Sequence, residues 1–417
     1  MQNIKTLCKP EIRKFIRDNV EIDTVSLANK AMPDPLWPRH DILNQIKARQ
    51  KARGKLPDRA DNFDLIMPGP DLVEQASSEA TAAYKASLVE GLMSGSDLGN
   101  SFADLTAGAG IDTAAFARNF KSGFAVERDV LTSEVLRHNL DVLGTGYVQV
   151  LNCSAEDFMS SFKGRKIDFI YLDPQRRSGS RRGKFEFKDC EPDVLAILPK
   201  LLENAHVVMI KTSPMLDIQK AVEDLGPSVQ ACHVVQWQGQ VKELVLVLHS
   251  DRIMDKNALP VIVSSIDDMG QANETFVFKK EEEDEIKVRY SRPLAYLYEP
   301  SAGILKAGGF KTVAHRHSLF KLHPATHLYT SGTPVENFPG RVFKVLGTLP
   351  VNKKKLHQTL PEGRANLSIR NFPQSVDSLK KKLGLKDGGK TFLFACTMPD
   401  SKHALILCER LYKKVFE

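Results

Sequence analysis

Two textures of apolar spacing divide the chain near residue 95. Before that point the apolar positions recur at helical intervals. Pro10 suits a first helical turn, after which Ile12, Phe15 and Ile16 share one face. The run Met32–Pro38 (MPDPLWP) breaks the pattern. A second helix is expected from a cap at Asp41, with Ile42, Leu43 and Ile46 inward and a stop near Gly54. Its outer side is expected to carry Lys47, Arg49, Lys51 and Arg53, a basic stretch read first as a solvated helix face. After MPGP the segment LVEQASSEATAAYKASLVEGL reads as one further helix, ending near Gly91.

From Ser101 the spacing changes to short apolar runs separated by helical patterns. SFADL, GFAVE, YVQVLN, DFIYLD and HVVMIK are five strand candidates, with stretches such as DTAAFARNF and VLTSEVLRHNL between them. That alternation predicts an α/β domain, a mostly parallel sheet covered by helices on both faces. The series ends differently: HVVQWQ and VKELVLVLH are joined by a tight turn at Gly239, which predicts a terminal antiparallel hairpin. PVIVSSI and TFVFK follow, then the acidic run Glu281–Glu285. The end of the chain mixes strands (RVFKVLG, KTFLFACT, HALILCERL) with a helical SVDSLKKKLGL, as a small α+β module does. The expected divisions are a helical region 1–95, a Rossmann-like domain 96–252, a small α+β domain of ferredoxin-like type 253–340, and a basic module 341–417.

Charge sharpens the last division. The whole chain carries +7, yet 341–417 holds sixteen Lys or Arg against six Asp or Glu, a net +10 that leaves −3 for the rest. A cationic module on a near-neutral body predicts a polyanionic partner, nucleic acid first. At 42% hydrophobic and 26% charged the composition is that of a chain with real cores. No apolar run approaches the ~18–20 residues of a membrane span. The start, MQNIKTLCKPEIRKF, lacks the apolar core of a signal peptide. Six scattered cysteines show neither a Cys-x-x-Cys nor a cluster with His at metal spacing. A cytoplasmic protein with reduced thiols and no metal is expected. His315, His317, His323 and His327 fit no metal motif and read as structural.

The candidate chemistry sits at the ends of the predicted strands. Asp104-Leu-Thr106-Ala-Gly108-Ala-Gly110-Ile-Asp112 follows the first strand and opens a helix; its glycines let the backbone turn tightly against a ligand. Glu127 ends the second strand, where a carboxylate accepts from both hydroxyls of a ribose. Asp104 at the head of the loop suits an ammonium group and would repel a pyrophosphate. Asn152-Cys-Ser154-Ala155-Glu156-Asp157 ends the third strand, and Asp173-Pro174-Gln-Arg176-Arg177 the fourth.

Together these segments resemble the class I S-adenosylmethionine-dependent methyltransferases. LVEQASSEA, LDPQRR, YLYEPSAGILKAGGFKTVAHRHSLFKLHPATHLYTS and RANLSIRNFPQSVDSLKKKLGLKDGGKTFLFA further resemble the bacterial group with a THUMP-like C-terminal domain. The resemblance implies S-adenosylmethionine as cofactor: Asp104, Thr106, Gly108, Gly110 and Asp112 around its methionine part, Glu127 on the ribose, and Ser154, Ala155 and Glu156 at the adenine. It places Asp173, Pro174 and Arg176 at the reaction, with Asp173 also at the cofactor edge. Arg176, Arg177, Arg181, Arg182, Lys184 and Lys211 would face substrate phosphates. Authentic THUMP domains bind RNA, so the resemblance implies an RNA partner, tRNA or rRNA.

Two departures narrow the acceptor. Enzymes acting on exocyclic adenine amines carry a second proline and an aromatic where Gln175 and Arg176 stand. Asp-Pro-x-Arg resembles the carbon-5 uridine enzymes, but Thr212 stands where their cysteine nucleophile would be. A nitrogen or oxygen acceptor is therefore expected. Methylation of a protein or small molecule, and an inert nucleic-acid-binding protein on the same fold, are the alternatives.

Overall fold

The computed structural model describes residues 4–94, 99–177 and 186–411. The chain divides into two compact units: one holds 1–238, 242–259 and 264–273, the other 239–241, 260–263 and 274–417.

In the first unit, α1 (Pro10–Asn19) begins at its proline and buries Ile12 and Ile16, with Phe15 edge-on to Trp37. After a short helical turn at Thr24–Ala28, α2 runs Arg39–Ala52, so Asp41 lies inside its first turn and does not cap it. Lys47, Lys51 and Arg53 are exposed, as expected of a solvated basic face, but Arg49 departs from it. It is 2% exposed, and its guanidinium donates to the carbonyls of Ala60, Asn62 and Leu65, ends of chain that no helix or strand satisfies. Lys51 and Arg53 pair with Glu74 and Glu21.

The single helix expected after MPGP is two. Pro70–Gln75 stops at Ala76, and α3 (Glu79–Met93) starts afresh because the Ser78 hydroxyl accepts from the Thr81 N–H. The break leaves Leu72, Gln75 and Ser77 on a short strap. The chain entering the strap is pegged by two reciprocal amide pairs, Gln45 with Met67 and Asn139 with Ile66.

The strands follow the expected runs: β1 (Ser101–Asp104), β2 (Ser122–Val126), β3 (Val148–Leu151), β4 (Ile167–Leu172), β5 (Ala205–Thr212), β6 (Val229–Trp237) and β7 (Gln240–His249). Their order across the sheet is β6-β7-β5-β4-β1-β2-β3. The neighbours from β3 to β5 pair in parallel, whereas β7 lies antiparallel to β5. Gln238 and Gly239 both have positive φ, the geometry of the tight hairpin turn that the sequence predicts there. Between the strands run α4 (Ile111–Ala117), α5 (Val130–Val142), α6 (Ala155–Ser161), α7 (Val194–Asn204) and α8 (Ile218–Leu225). One core joins Tyr84, Val89 and Met93 of α3 to Phe116 of α4 and to Phe169, Tyr171, Met209 and Val245 of the sheet. This is a Rossmann-like α/β sheet, mostly parallel with a terminal antiparallel hairpin. Two further strands, β8 (Pro260–Ile266) and β9 (Ala272–Lys279), are shared between the units by residue.

The second unit carries one seven-stranded sheet. Its strands are β10 (Tyr296–Pro300), β11 (Phe320–His323), β12 (Thr326–Ser331), β13 (Gly340–Pro350), β14 (Asn366–Arg370), β15 (Thr391–Thr397) and β16 (His403–Leu411), in the order β11-β12-β10-β13-β16-β15-β14. The antiparallel pairing of β10 with β13 makes the sheet continuous across residue 340. Buried Glu299 bridges Arg341 and Arg370 there. On the C-terminal half, α9 (Lys353–Thr359) and α10 (Val376–Leu383) bury Leu356, Leu379 and Leu383 and leave their lysines largely outward. His327 stacks on Phe310 and His317 meets the Phe338 ring edge-on.

Candidate active site

The carboxyl ends of β1 to β4 converge on two adjoining cavities. The larger, about 340 Å³, lies within the ~300–1,000 Å³ usual for ligand clefts. Its walls include Glu127 beyond β2, Cys153 to Glu156 beyond β3, and Asp173 beyond β4. The smaller, about 40 Å³, is lined by Asp104, Asp112, the Thr106–Ala109 backbone, and Gln75 and Ser77 of the strap. Leu72, Thr106, Gly108, Asp173 and Gln175 border both and mark their junction.

The loop after β1 is built by its own backbone. Gly108 and Gly110 have positive φ, and at Gly110 a Cβ would meet Leu136 Cδ1 at 2.3 Å, so only glycine fits. The Gly108 N–H donates to Glu127 Oε2 (2.9 Å) and the Asp129 N–H to Oε1 (2.8 Å), which fixes that carboxylate at the cavity wall. Thr106 Oγ1 accepts from the Asp173 N–H (2.7 Å), tying the loop to the end of β4. Ser154 caps α6 through Asp157, and Glu156 accepts from the Asp193 N–H (3.2 Å).

Beneath the smaller cavity lies a closed ionic network that the sequence did not announce. Lys85 of α3, wholly buried, donates to both oxygens of Glu243 on β7 (2.7 and 2.9 Å) and to Ser77 Oγ (3.0 Å). It also stands 3.2 Å from Asp112 Oδ1. Asp112 Oδ2 accepts from Ser77 (2.6 Å) and from Tyr171 OH (2.8 Å). Burial would raise the Asp112 carboxyl, but the ammonium groups of Lys85 and Lys211 outweigh it and hold it below the ordinary value. Asp104, 1% exposed, accepts from Thr113 (2.6 Å) and the Thr106 N–H (3.0 Å). Burial, with Asp112 and Asp173 nearby, pushes its carboxyl up to about 7.

Sequence reasoning missed Lys85, Glu243, Ser77, Thr113 and Tyr171 because each lies inside an apolar helix, a strand or a short break, with no motif around it. The one available signal was a lysine and a glutamate at positions whose neighbours face a core. Gln75 and Leu72 were likewise hidden, inside what read as a continuous helix.

Lys211, at the end of β5, donates to Asp173 Oδ2 at 2.5 Å, with side chains only 13% and 23% exposed. Burial alone would lower the Lys211 pKa, but Asp173, Glu243 and Asp112 together raise it well above the ordinary lysine value. Thr212 is buried, and its hydroxyl has no hydrogen-bond partner among the described residues. Arg176 and Arg177 are exposed beside the cleft, the latter 3.6 Å from Asp193. Arg181, Arg182 and Lys184 lie outside the described residues.

The donor set decides what the cleft can hold. Seven acidic residues line the two cavities (Asp104, Asp112, Glu127, Asp129, Glu156, Asp173 and Glu191) against one arginine, Arg128, and Asp112 Oδ1 is buried without a hydrogen bond. Such a lining attracts a ligand bearing an ammonium or sulfonium charge and repels a pyrophosphate. Among the described residues no helix is long and apolar enough to cross a membrane.

Residues 87–226 match the family model described as conserved hypothetical protein 95. Residues 296–339 match a ferredoxin-like domain, and residues 340–410 a THUMP domain-like model. No curated protein matches. Among solved structures, a protein of Porphyromonas gingivalis W83 provisionally assigned as a methyltransferase is 30% identical, with a TM-score of 0.85 over 98% of this chain and 99% of that one. TrmN from Thermus thermophilus is 16% identical with a TM-score of 0.30, over 41% of this chain and 52% of that one. Cofactor-bound Rv0187 from MTB is 14% identical with a TM-score of 0.32, over 42% and 83%. The near-complete coverage at 30% identity, together with the sheet order and the matched C-terminal domains, makes this chain a member of the class I methyltransferase family that carries a THUMP-like C-terminal domain.

Proposed function

We propose that the protein is an S-adenosylmethionine-dependent methyltransferase that modifies a nitrogen, or an oxygen, of RNA, tRNA or rRNA above all. The observation that carries this reading is the junction of the two cavities at Asp173, between a carboxylate-lined end and the wall formed by Glu127 and Ser154–Glu156. The smaller cavity suits the methionine part of the cofactor, with Asp104 and Asp112 toward its ammonium. Glu127 suits the ribose, and Ser154, Ala155 and Glu156 the adenine. When bound, S-adenosylmethionine supplies a methyl group on a sulfonium, open to in-line attack.

The chain's own contribution is positioning. Asp173 Oδ2 is taken by Lys211, while Oδ1 has no hydrogen-bond partner among the described residues and is left to accept an N–H or O–H from the acceptor. Thr212 cannot replace a thiolate nucleophile, and Cys153, in the larger cavity, is held in its thiol form by burial and by Asp157. A nitrogen or oxygen acceptor follows. The RNA assignment rests on the +10 charge of residues 341–417 and on their match to a THUMP-like model.

The test incubates the protein with tritiated S-adenosylmethionine and extract of cells lacking the gene. Label in RNase-sensitive material, abolished by Asp173→Ala, is the expected result. Label that survives RNase would overturn the RNA acceptor and move the substrate to protein or a small molecule.

A further inference from the structure

The pairing of Lys211 with Asp173 bears on more than where a phosphate might bind. Asp173 lies at the junction of the two cavities, the position left for the sulfur when adenosine and methionine parts occupy either side. An unpaired carboxylate there would stabilise a sulfonium strongly. That stabilisation opposes catalysis, because the positive charge disperses as the methyl departs, so the ground state gains more than the transition state. In this chain the opposing charge is cancelled at its source. The Lys211 ammonium donates to Asp173 Oδ2 at 2.5 Å, from the neighbouring parallel strand, inside a site where both groups are mostly shielded from water.

Its surroundings account for why Lys211 stays charged. It sits amid the fields of Asp173, Glu243 and Asp112, and Glu243 and Asp112 are shared with Lys85. Two lysines thus thread three carboxylates, with Lys55 and Asp104 in the same field. Lys211 lines neither cavity and faces carboxylates, so it is not arranged as a phosphate clamp.

We propose that Lys211 is a positioning residue that neutralises and orients Asp173 beside the donor sulfur, so that Asp173 receives the acceptor's hydrogen bond without acting as a counter-ion to the sulfonium. This rests on the reading of the cleft as an S-adenosylmethionine site. It predicts a readout independent of turnover: the ratio of affinities for S-adenosylmethionine, which carries the sulfonium, and S-adenosylhomocysteine, which does not.

Both nucleosides are titrated by calorimetry into the full-length protein and three variants. Lys211→Met, which uncovers the carboxylate, should shift the ratio toward S-adenosylmethionine by about tenfold or more, the scale of an opposite charge gained at close range. Asp173→Asn, which uncovers the ammonium, should shift it the other way. The double variant should return near the wild-type ratio. A purely structural pair would weaken both ligands alike. Ratios within about twofold of wild type in both single variants would overturn the inference, and if one variant fails to fold the other single variant decides alone. Wild-type protein that binds neither nucleoside would instead sink the cofactor reading itself, and the inference with it.

Discussion

The candidate cleft and the C-terminal module are both rich in charge, and they hold it in opposite ways. In the cleft, Lys85, Glu243 and Asp112 are buried and ion-paired through Lys85, with Lys211 on Asp173 beside them. In the module, Lys354, Lys355, Lys381 and Lys382 stand exposed on short helices, and their side chains make no hydrogen bond or ion pair among the described residues. Buried charge is tied to one geometry and selects a small ligand by sign and position. Exposed charge is screened and mobile, and it attracts any polyanion. On the proposed reading, the cleft discriminates and the module's surface attracts.

The comparison breaks first where the buried network is cut. Lys85→Met leaves Glu243 and Asp112 buried without their cation, so a loss of about 3–5 kcal/mol in unfolding free energy is expected. Urea denaturation followed by circular dichroism measures it, and Lys382→Met should leave the same curve unmoved. A loss no larger at Lys85 than at Lys382 would mean that the network is held by something other than its charges.

Glu127→Gln comes next. The carboxylate already receives two backbone N–H groups, which the amide retains in part, but a hydrogen bond to a charged group is worth about 1.5–3 kcal/mol. S-adenosylhomocysteine should bind roughly 10–100-fold more weakly, with little change in melting temperature. An unchanged affinity would remove Glu127 from the ribose.

Smaller still is the pH effect of Asp104. Its carboxyl is pushed up to about 7, chiefly by burial, so it gains its charge as pH rises through neutrality. Affinity for a ligand bearing an ammonium should strengthen between pH 6 and 8, and Asp104→Asn should flatten that slope. The stability linkage has the opposite sign. Because the folded-state value lies above the unfolded one, this group's contribution is fully present below about pH 4 and is lost as pH rises through about 7.

The smallest effect per residue belongs to the module. Replacing Lys354, Lys355, Lys381 and Lys382 by alanine should reduce the slope of log affinity against log salt for RNA, by up to about one unit for each phosphate left without its lysine. Cofactor affinity should not move. A salt slope equal to wild type would place the polyanion elsewhere.

Much of the fold was legible because it is written locally. The strand runs from SFADL to VKELVLVLH reappear as β1 to β7, and Gln238-Gly239 closes the hairpin as its sequence requires. Glycine at 110 was legible for the same reason: a left-handed backbone pressed against Leu136 admits no other side chain. Errors came where a local signal had a distant competitor. Arg49 has the spacing of an outward residue, yet the carbonyls of Ala60, Asn62 and Leu65 draw it inward. The helix read from Leu72 to near Gly91 breaks at 76–78, because Ser78 caps a new helix and Ser77 turns toward Asp112.

By itself, then, the sequence determined the order of elements and which acidic residues stand at the strand ends, since periodicity and turn chemistry act over a few residues. Only tertiary structure decided how those charges are balanced. Lys85 meets Glu243 across 158 residues of chain, and Lys211 meets Asp173 across 38. Such pairs form because packing α3 and β5 against the sheet removes water from charges that must then find one another, and no local pattern records which ones do.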